Sequence, residues 1–549
     1  GVFYLLSKYY PSLSIHASTQ LTTHNAGQIK FLHQLAATRV NLSRELSLDE
    51  IAVLSAVAHD HDMLTEVFVH GSNCIAFSGL CYMSSVHGGK SGNRGQCSQP
   101  CREQYLTTAE GKDFPLNIKD NSAFSDLRGL YEAGVDSLKI EGRIKKYHYV
   151  YTVVDSWRKQ LQTFYEQNRV TEGEGSLRTV FNRDFSNAFL KGEISRNMYI
   201  DNPRDNSAIY RAQMSGQTIE VALPTAKREV FEQKAEIVNN VEQQINQLSI
   251  EQAPLTLSVS GQVGTPLTLS VKTPDLSFEI HSQRMLVNSV SEAESKKGAA
   301  QPIDSELLLE RFKAINESEY FIDEIVLDDL DSDLILPFKD FAPLKKQILY
   351  RLNGSKEYLA PVVLPRNKKR REEINAPELS LLISSPEDVH LCTDTSETVF
   401  YQLPNSYKKG DTKYEELFNN NEELIPWFPS VLIGDGYLQA VELLDKIKPK
   451  QIVTDNTGIA YEAYHRGIDW IAGPQLNLVN SYSLLCLKEV FNCRGAFISN
   501  EINRGQMCKI AKPDNFKIYY SIYHPIILMT SRACFFYQVT GCKKNIVDG

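Results

Sequence analysis

Between Cys74 and Cys101 the chain reads CIAFSGLCYMSSVHGGKSGNRGQCSQPC, and no other stretch limits the possible folds as much. Four of the ten cysteines fall in these 28 residues, spaced C-x6-C-x15-C-x3-C, with Gly88, Gly89, Gly92 and Gly95 between the second and the third. Thiolates hold zinc or iron-sulfur clusters when several converge from a short segment, and glycines let a loop turn tightly around such a cargo. Zinc knuckles favour roughly two to four residues inside each pair, so the longer first gap suits a cuboidal cluster better than zinc. Cys74, Cys81, Cys97 and Cys101 are the expected metal ligands, with unligated thiols as the alternative. Buried apolar thiols account for Cys392 or Cys486, but not for four in one glycine-rich loop.

Around this loop short apolar strands alternate with amphipathic helices. LSIHAST (Leu13–Thr19), TRVNLSREL (Thr38–Leu46), LTEVFVHG, FPLNIKD and DSLKIEGR read as strands. GQIKFLHQL, SLDEIAVLSAVA, SAFSDLRGLYEAG and a long segment through Trp157 read as helices. Parallel strands need helical crossovers, so the pattern predicts an α/β, TIM-barrel-like (β/α) domain over residues 1–165, with a doubly wound sheet as the alternative. Strand C-termini in a barrel open into one mouth. That makes site candidates of His16, Gln20, Arg44, Glu45, His70, Lys119, Asp120, Lys139, Glu141 and Arg143. HDHD (His59–Asp62) resembles a metal motif only superficially, because on a strand its side chains would splay to opposite faces.

Residues 166–375 read as a β-rich middle module, from TIEVALPT, LTLSVSGQVG and LTLSVKTP. The acidic run DEIVLDDLDSDL (Asp323–Leu334) reads as a solvated loop with strand edges, and RNKKRR (Arg366–Arg371) as a linker or a phosphate contact. Over residues 376–549 the βα pattern returns in LSLLISS, TVFYQLP, PSVLIGD, QIVTDN, IDWIAGPQLN, GAFISNEIN and KIYYSIYH. HASTQLTTHNA (His16–Ala26) pairs with AGPQLNLVNSY (Ala472–Tyr482), SREL (Ser43–Leu46) with SNEI (Ser499–Ile502), and FSGLC ending at Cys81 with TSRAC ending at Cys534. This is the mark of an internal repeat, and it predicts a second, degenerate barrel-like domain, both barrels being truncated. The second copy keeps Gln475, Glu501 and His524 and sets Ala472 against His16. Cys534 and Cys542 add a further pair.

At 549 residues the chain has room for about three domains. A net charge of -9 excludes indiscriminate nucleic-acid binding but leaves room for a local basic groove. No window approaches the roughly 20 apolar residues of a membrane span. Ten cysteines in a chain this long are too sparse for a disulfide framework, and their clustering favours a reducing compartment, with the cytoplasm as the expected location. Because the chain starts at Gly1, a fragment is expected, from which a leader can have been lost.

HGSNCIAFSGLCYMSS, followed by GNRGQCSQPCREQY and by DSLKIEGR (Asp136–Arg143), resembles the signature of the U32 peptidases, the collagenase-like proteins. FNRDFSNAFLKGEISRNMYIDNPRDNS (Phe181–Ser207) and YHPIILMTSRACFFYQVTGCKK (Tyr523–Lys544) are similar to its long bacterial branch, which hydroxylates a cytidine of large-subunit ribosomal RNA. The resemblance implies a 4Fe-4S iron-sulfur cluster, prephenate as co-substrate, ribosomal RNA or its precursor as substrate, and a possible protein partner. Under it, Lys119, Lys139 and Arg143, with Arg44, would bind substrate. His16, Gln20, Glu45, His70 and Glu141 would carry the chemistry, moving protons in particular. Peptidase activity is the alternative reading, although HExxH and GxSxG are missing. A third is a non-catalytic, cluster-bearing RNA-binding or partner subunit.

Overall fold

Ile15 and Ala17 are buried while His16 between them is exposed, the two-residue period of a half-buried strand. This is β1 (Ile15–Ala17) in the computed structural model, which describes residues 1–142, 145–171, 175–201, 205–247, 252–288, 301–354, 376–406 and 412–542. β1 pairs in parallel with β2 (Ala37–Asn41), and β2 with β3 (Leu64–Gly71), through crossover helices Ala26–Gln34 and Leu48–His59. Asn25 caps the first helix, and Ser47 forms a reciprocal capping box with Glu50 on the second, satisfying amides that a helix start leaves unpaired. β3 then branches, antiparallel to β4 (Asp120–Ser122) and parallel to β5 (Ser137–Ile140), and β4 pairs with β6 (Phe185–Ser186). Of the expected strand FPLNIKD only Asp120 takes part, since Pro115 has no amide for a ladder and the Lys119 amide bonds to Met198 instead.

Packing divides the chain into two compact units, Gly1–Val241 with Leu364–Gly549, and Glu242–Val363. The first unit thus runs on past residue 165 to Val241. TIEVALPT, expected as a strand, opens the helix Ile219–Gln247. Its buried Ala222, Ala226 and Val230 recur every four residues, a helical period visible only in a longer window.

In the second unit β7 (Ala253–Gly261), β8 (Pro266–Lys272) and β9 (Ser277–Met285) form an antiparallel meander. A short pair joins β10 (Val287–Asn288) to β12 (Leu334–Ile335). β11 (Tyr320–Leu330) joins the edge of the sheet parallel to β7. The acidic run, expected as a solvated loop with strand edges, is strand over Asp323–Leu330 and lies on the sheet edge, where charge is tolerated and discourages further pairing. Leu255, Leu257 and Val259 alternate into the core with residues of helices Ser305–Phe312 and Phe338–Leu352. RNKKRR lies outside the described residues.

The first unit continues with β13 (Ser380–Ile383), β14 (Thr398–Gln402), β15 (Ile425–Phe428), β16 (Gln451–Thr454), β17 (Asp469–Ala472), β18 (Gly495–Phe497) and β19 (Lys517–Tyr519). They pair in sequence order, all parallel, as a curled half-barrel sheet. β15 is IPWF rather than the expected PSVLIGD, because Pro429 ends the ladder.

The repeat is structural. Thr22 and Asn477 each end a matching 3-10 turn at a left-handed φ of 53°. Asn25 and Asn480 cap the next helices, and Asn503 with Gln506 repeats the Ser47–Glu50 capping box. In this register Ala17 faces Ala472, and the counterpart of His16 is Ile471, one residue from the expected Ala472. The two repeats meet through helices Ala26–Gln34 and Thr457–His465, where Asn25 Nδ2 donates to Asn456 Oδ1 at 3.2 Å. Phe31 stacks on Phe491 at 3.8 Å. Among the described residues no helix is long and apolar enough to cross a membrane.

Candidate functional site

The inner faces of the two repeats have opposite chemistry. In the first, Asn41 donates to Glu66 at 2.7 Å and Lys139 pairs with the same carboxylate at 2.6 Å. The backbone register that joins Leu42 to Glu66 joins Ile498 to Tyr519 in the second repeat. There Phe497 and Tyr519 stack at 5.0 Å, within an apolar cluster with Phe400, Trp427, Val453 and Ile471. The second repeat is filled by aromatic rings where the first is charged.

Beyond the strand ends of the first repeat lies a buried, charged cluster. β3 reaches it through Gly71, at φ 123°, where an added Cβ would stand 2.8 Å from that of Glu141; only glycine takes this backbone without strain. Arg183 donates to Asp120 from its amide (3.0 Å), from Nε (2.9 Å) and from Nη2 (2.8 Å), and reaches Ser72 at 2.7 Å. Burial opposes the charge of Arg44, but Cys74, Glu45 and Glu141 outweigh it and raise its pKa; Arg44 donates to Ser78 at 2.7 Å. Burial raises the Glu141 carboxyl against the pull of Arg44 and Lys145, and pushes Glu45 up to about 7. It lowers His70 to about 4, with Asp120 resisting, and lowers Lys145 beside Asp120 and Arg183. Glu45 Oε1, His70 Nδ1 and Arg44 Nε are buried without a hydrogen-bond partner, the kind of orphan polar atom a bound molecule satisfies.

The cysteine loop borders this cluster. Its short helix Met83–Gly88 and 3-10 turns Gly92–Arg94 and Pro100–Arg102 fold it back on itself, and the buried Ser84 accepts from the amide of Ser98 at 3.1 Å. Burial pushes the Cys81 thiol up to about 11 and that of Cys101 up to about 12, and Cys101 also feels Cys74, Cys97 and Cys81. Among the described residues no three His, Cys, Asp or Glu side chains come together as ligands of a single metal ion. The loop pairs with the second cysteine segment, Phe77 to Thr530 and Tyr82 to Leu528 through the backbone.

Of the expected site residues, the structure brings together Arg44, Glu45, His70 and Glu141. Gln20 lies at a cavity between the repeats, and His16 is exposed on β1. Lys119 is neutralised by Asp184 at 2.8 Å and Lys139 by Glu66, so neither stands free as a cation. Arg143 lies outside the described residues. His59 of the HDHD run ends a helix and pairs with Asp136 at 2.9 Å. Lys145 and Arg183 were missed. Arg183 sits in the stretch FNRDF, which carries no local signal for it, because its partner Asp120 lies 63 residues away.

Residues 1–199 match peptidase family U32. The 23S rRNA 5-hydroxycytidine C2501 synthase of Escherichia coli (strain K12) is 39% identical over 163 residues, 29% of this chain and 24% of that protein. The tRNA hydroxylation protein P1 of Bacillus subtilis (strain 168) is 35% identical over 198 residues, 33% of this chain and 46% of that protein. A collagenase of Porphyromonas gingivalis (strain ATCC BAA-308 / W83) is 32% identical over 201 residues, 33% of this chain and 48% of that protein. The chain thus spans less than half the length of each of these relatives. No solved structure matches.

Proposed function

We propose, from the match of residues 1–199 to peptidase family U32, that the protein is an RNA hydroxylase with a TIM-barrel-like first repeat. It carries an iron-sulfur cluster on Cys74, Cys81, Cys97 and Cys101 and forms 5-hydroxycytidine in large-subunit ribosomal RNA or its precursor. The observation that carries this reading is the hydrogen bond that Arg44 donates to Ser78 of the cysteine loop at 2.7 Å. It joins a loop of four thiols to a buried cluster of acids and bases with unpartnered polar atoms.

The donor set fits a cluster better than one ion. A tetrahedral zinc about 2.3 Å from each sulfur needs all four sulfurs in mutual contact, whereas a cuboidal cluster offers each cysteine its own iron. Bound there, a cluster supplies electron transfer, which no side chain provides. Placing a hydroxyl on a pyrimidine C5 breaks a C–H bond, releasing its proton, and forms a C–O bond to an oxygen atom from a separate oxidising oxygen donor, which takes up the two electrons. Glu45 and Glu141, both held above the ordinary carboxylate range by burial, are the groups suited to take that proton near neutral pH. His70 is neutral there and acts as a hydrogen-bonding partner. Arg44, Lys145 and Arg183 provide the positive charge for an anionic co-substrate such as prephenate. A cytoplasmic setting and a protein partner belong to the same reading.

The name of the Porphyromonas relative keeps a collagenase-like peptidase as the second reading. Nucleoside mass spectrometry of large-subunit RNA from cells with and without the protein tests the proposal, alongside iron and sulfide analysis of anaerobically purified protein. Loss of 5-hydroxycytidine without the protein is expected. Unchanged 5-hydroxycytidine overturns the proposal, and cleavage of gelatin by the purified protein puts the peptidase in its place.

A further inference from the structure

A cavity of about 300 Å³ lies between the two repeats, at the lower end of the range for small-molecule sites. Seven residues from Gln20 to Leu32 line one wall, and their seven repeat counterparts from Gln475 to Leu487 line the other. Each wall presents a carboxamide, Gln20 or Gln475, and an adjacent leucine, Leu21 or Leu476. Leu21 is 42% exposed and Gln20 is exposed, so the cavity opens to solvent on that side. Thr23 is fully buried in the wall, and its hydroxyl has no partner. Asp455, also buried in the wall, accepts from Trp427 Nε1 and from the amide of Gln475, both at 2.7 Å. Asn93 of the cysteine loop closes one side and accepts from the amide of Cys81 at 3.4 Å.

Among the described residues of this lining there is no Lys, Arg or His, so nothing in it is built for a phosphate or a dicarboxylate. Carboxamides offer a donor and an acceptor side by side, and flat apolar walls suit a ring, the combination that holds a base taken out of its stack. We propose that this cavity binds an unpaired pyrimidine base of the RNA substrate that flanks the modified one, its edge read by Gln20 and Gln475 and its ring held between Leu21 and Leu476. The inference rests on the RNA-hydroxylase reading and names the subsite that reading leaves open.

The test uses the anaerobically purified full chain and an RNA hairpin with 5-iodocytidine in its loop, irradiated in the near ultraviolet and digested for mass spectrometry. Crosslinks are expected in peptides covering residues 20–35 or 473–487. Gln20→Leu with Gln475→Leu is expected to cut crosslinking about tenfold, since the base edge loses its partners. Free cytidine in excess is expected to compete, and adenosine is not. Crosslinks confined to other peptides, with RNA still bound, overturn the cavity assignment and leave the RNA reading standing, as does equal competition by adenosine. A wild-type chain that binds no RNA overturns both. Because crosslink position is read on the wild-type chain, a double variant that fails to fold does not blunt the test.

Discussion

Arg532 donates from Nη1 to the backbone carbonyl of Glu45 at 2.6 Å, across 487 residues of sequence. In the other repeat Arg94 donates to the carbonyl of Glu501, the counterpart of Glu45, at 2.8 Å. Each cysteine loop thus docks on the rim of the opposite repeat. The first grips Glu501 further through Asn93 at 3.0 Å, and Arg532 grips both oxygens of Glu50 at 2.7 Å.

Arg532→Ala should therefore loosen the second cysteine segment and destabilise the first unit by about 1–2 kcal/mol, more than an exposed ion pair because the fork is bidentate and three-quarters covered. Arg532→Lys should recover little, since an ammonium cannot span both oxygens. Chemical denaturation checks this; an unchanged midpoint for the alanine variant means the fork contributes nothing.

Glu45 makes stability depend on pH. Its folded pKa of about 7 lies above the ordinary value of 4.5, so between these two the folded state binds more protons than the unfolded one. Stability is then fully present below about 4.5 and falls as pH rises through 7, by up to roughly 3 kcal/mol for a group this buried. Glu45→Gln should flatten that slope and be the more stable protein at pH 8, while losing RNA modification and keeping its iron. A wild-type slope retained in the variant assigns the dependence to another group.

The repeat interface tolerates no side chain at two glycines. A Cβ on Gly27 would stand 2.3 Å from Tyr437 Oη and 2.8 Å from the Gly458 Cα, and one on Gly458 would meet Asn25 and Asn456 caps and the Gln28 amide at 3.0 Å. Gly27→Ala and Gly458→Ala should each cost about 1–3 kcal/mol through overpacking. Thermal unfolding reads this directly, and alanine at either site without a shift would show that the helices separate freely.

The Asp120–Arg183 pair is buried on both sides, with side chains 4% and 10% exposed. Asp120→Ala leaves a guanidinium without its counter-charge and should cost about 3–5 kcal/mol, whereas Asp120→Ala with Arg183→Met should cost less than the single change. A double-mutant cycle measured by denaturation decides this, and additive losses would mean the two residues act separately.

Residue order alone determined the elements whose signal is local. Hydrophobic period and side-chain caps mark β1 to β3, their helices and the βα series after residue 376, and matching stretches such as STQL and GPQL reveal the repeat. The same local reading misplaced TIEVALPT, whose alternation over eight residues masks a four-residue period, and PSVLIGD, where Pro429 moves the ladder back to IPWF. It also named Arg44, Glu45, His70 and Glu141, because strand ends converge whatever lies between them. Only the tertiary structure decided which charges are free. Lys119 and Lys139 look like ligand-binding cations until Asp184 and Glu66 are seen against them, and Arg183 looks like a surface residue until Asp120 is found beside it, 63 residues away. Partners so distant in sequence leave no periodic trace, so pairing, burial and the exchange of cysteine loops between repeats are set by packing.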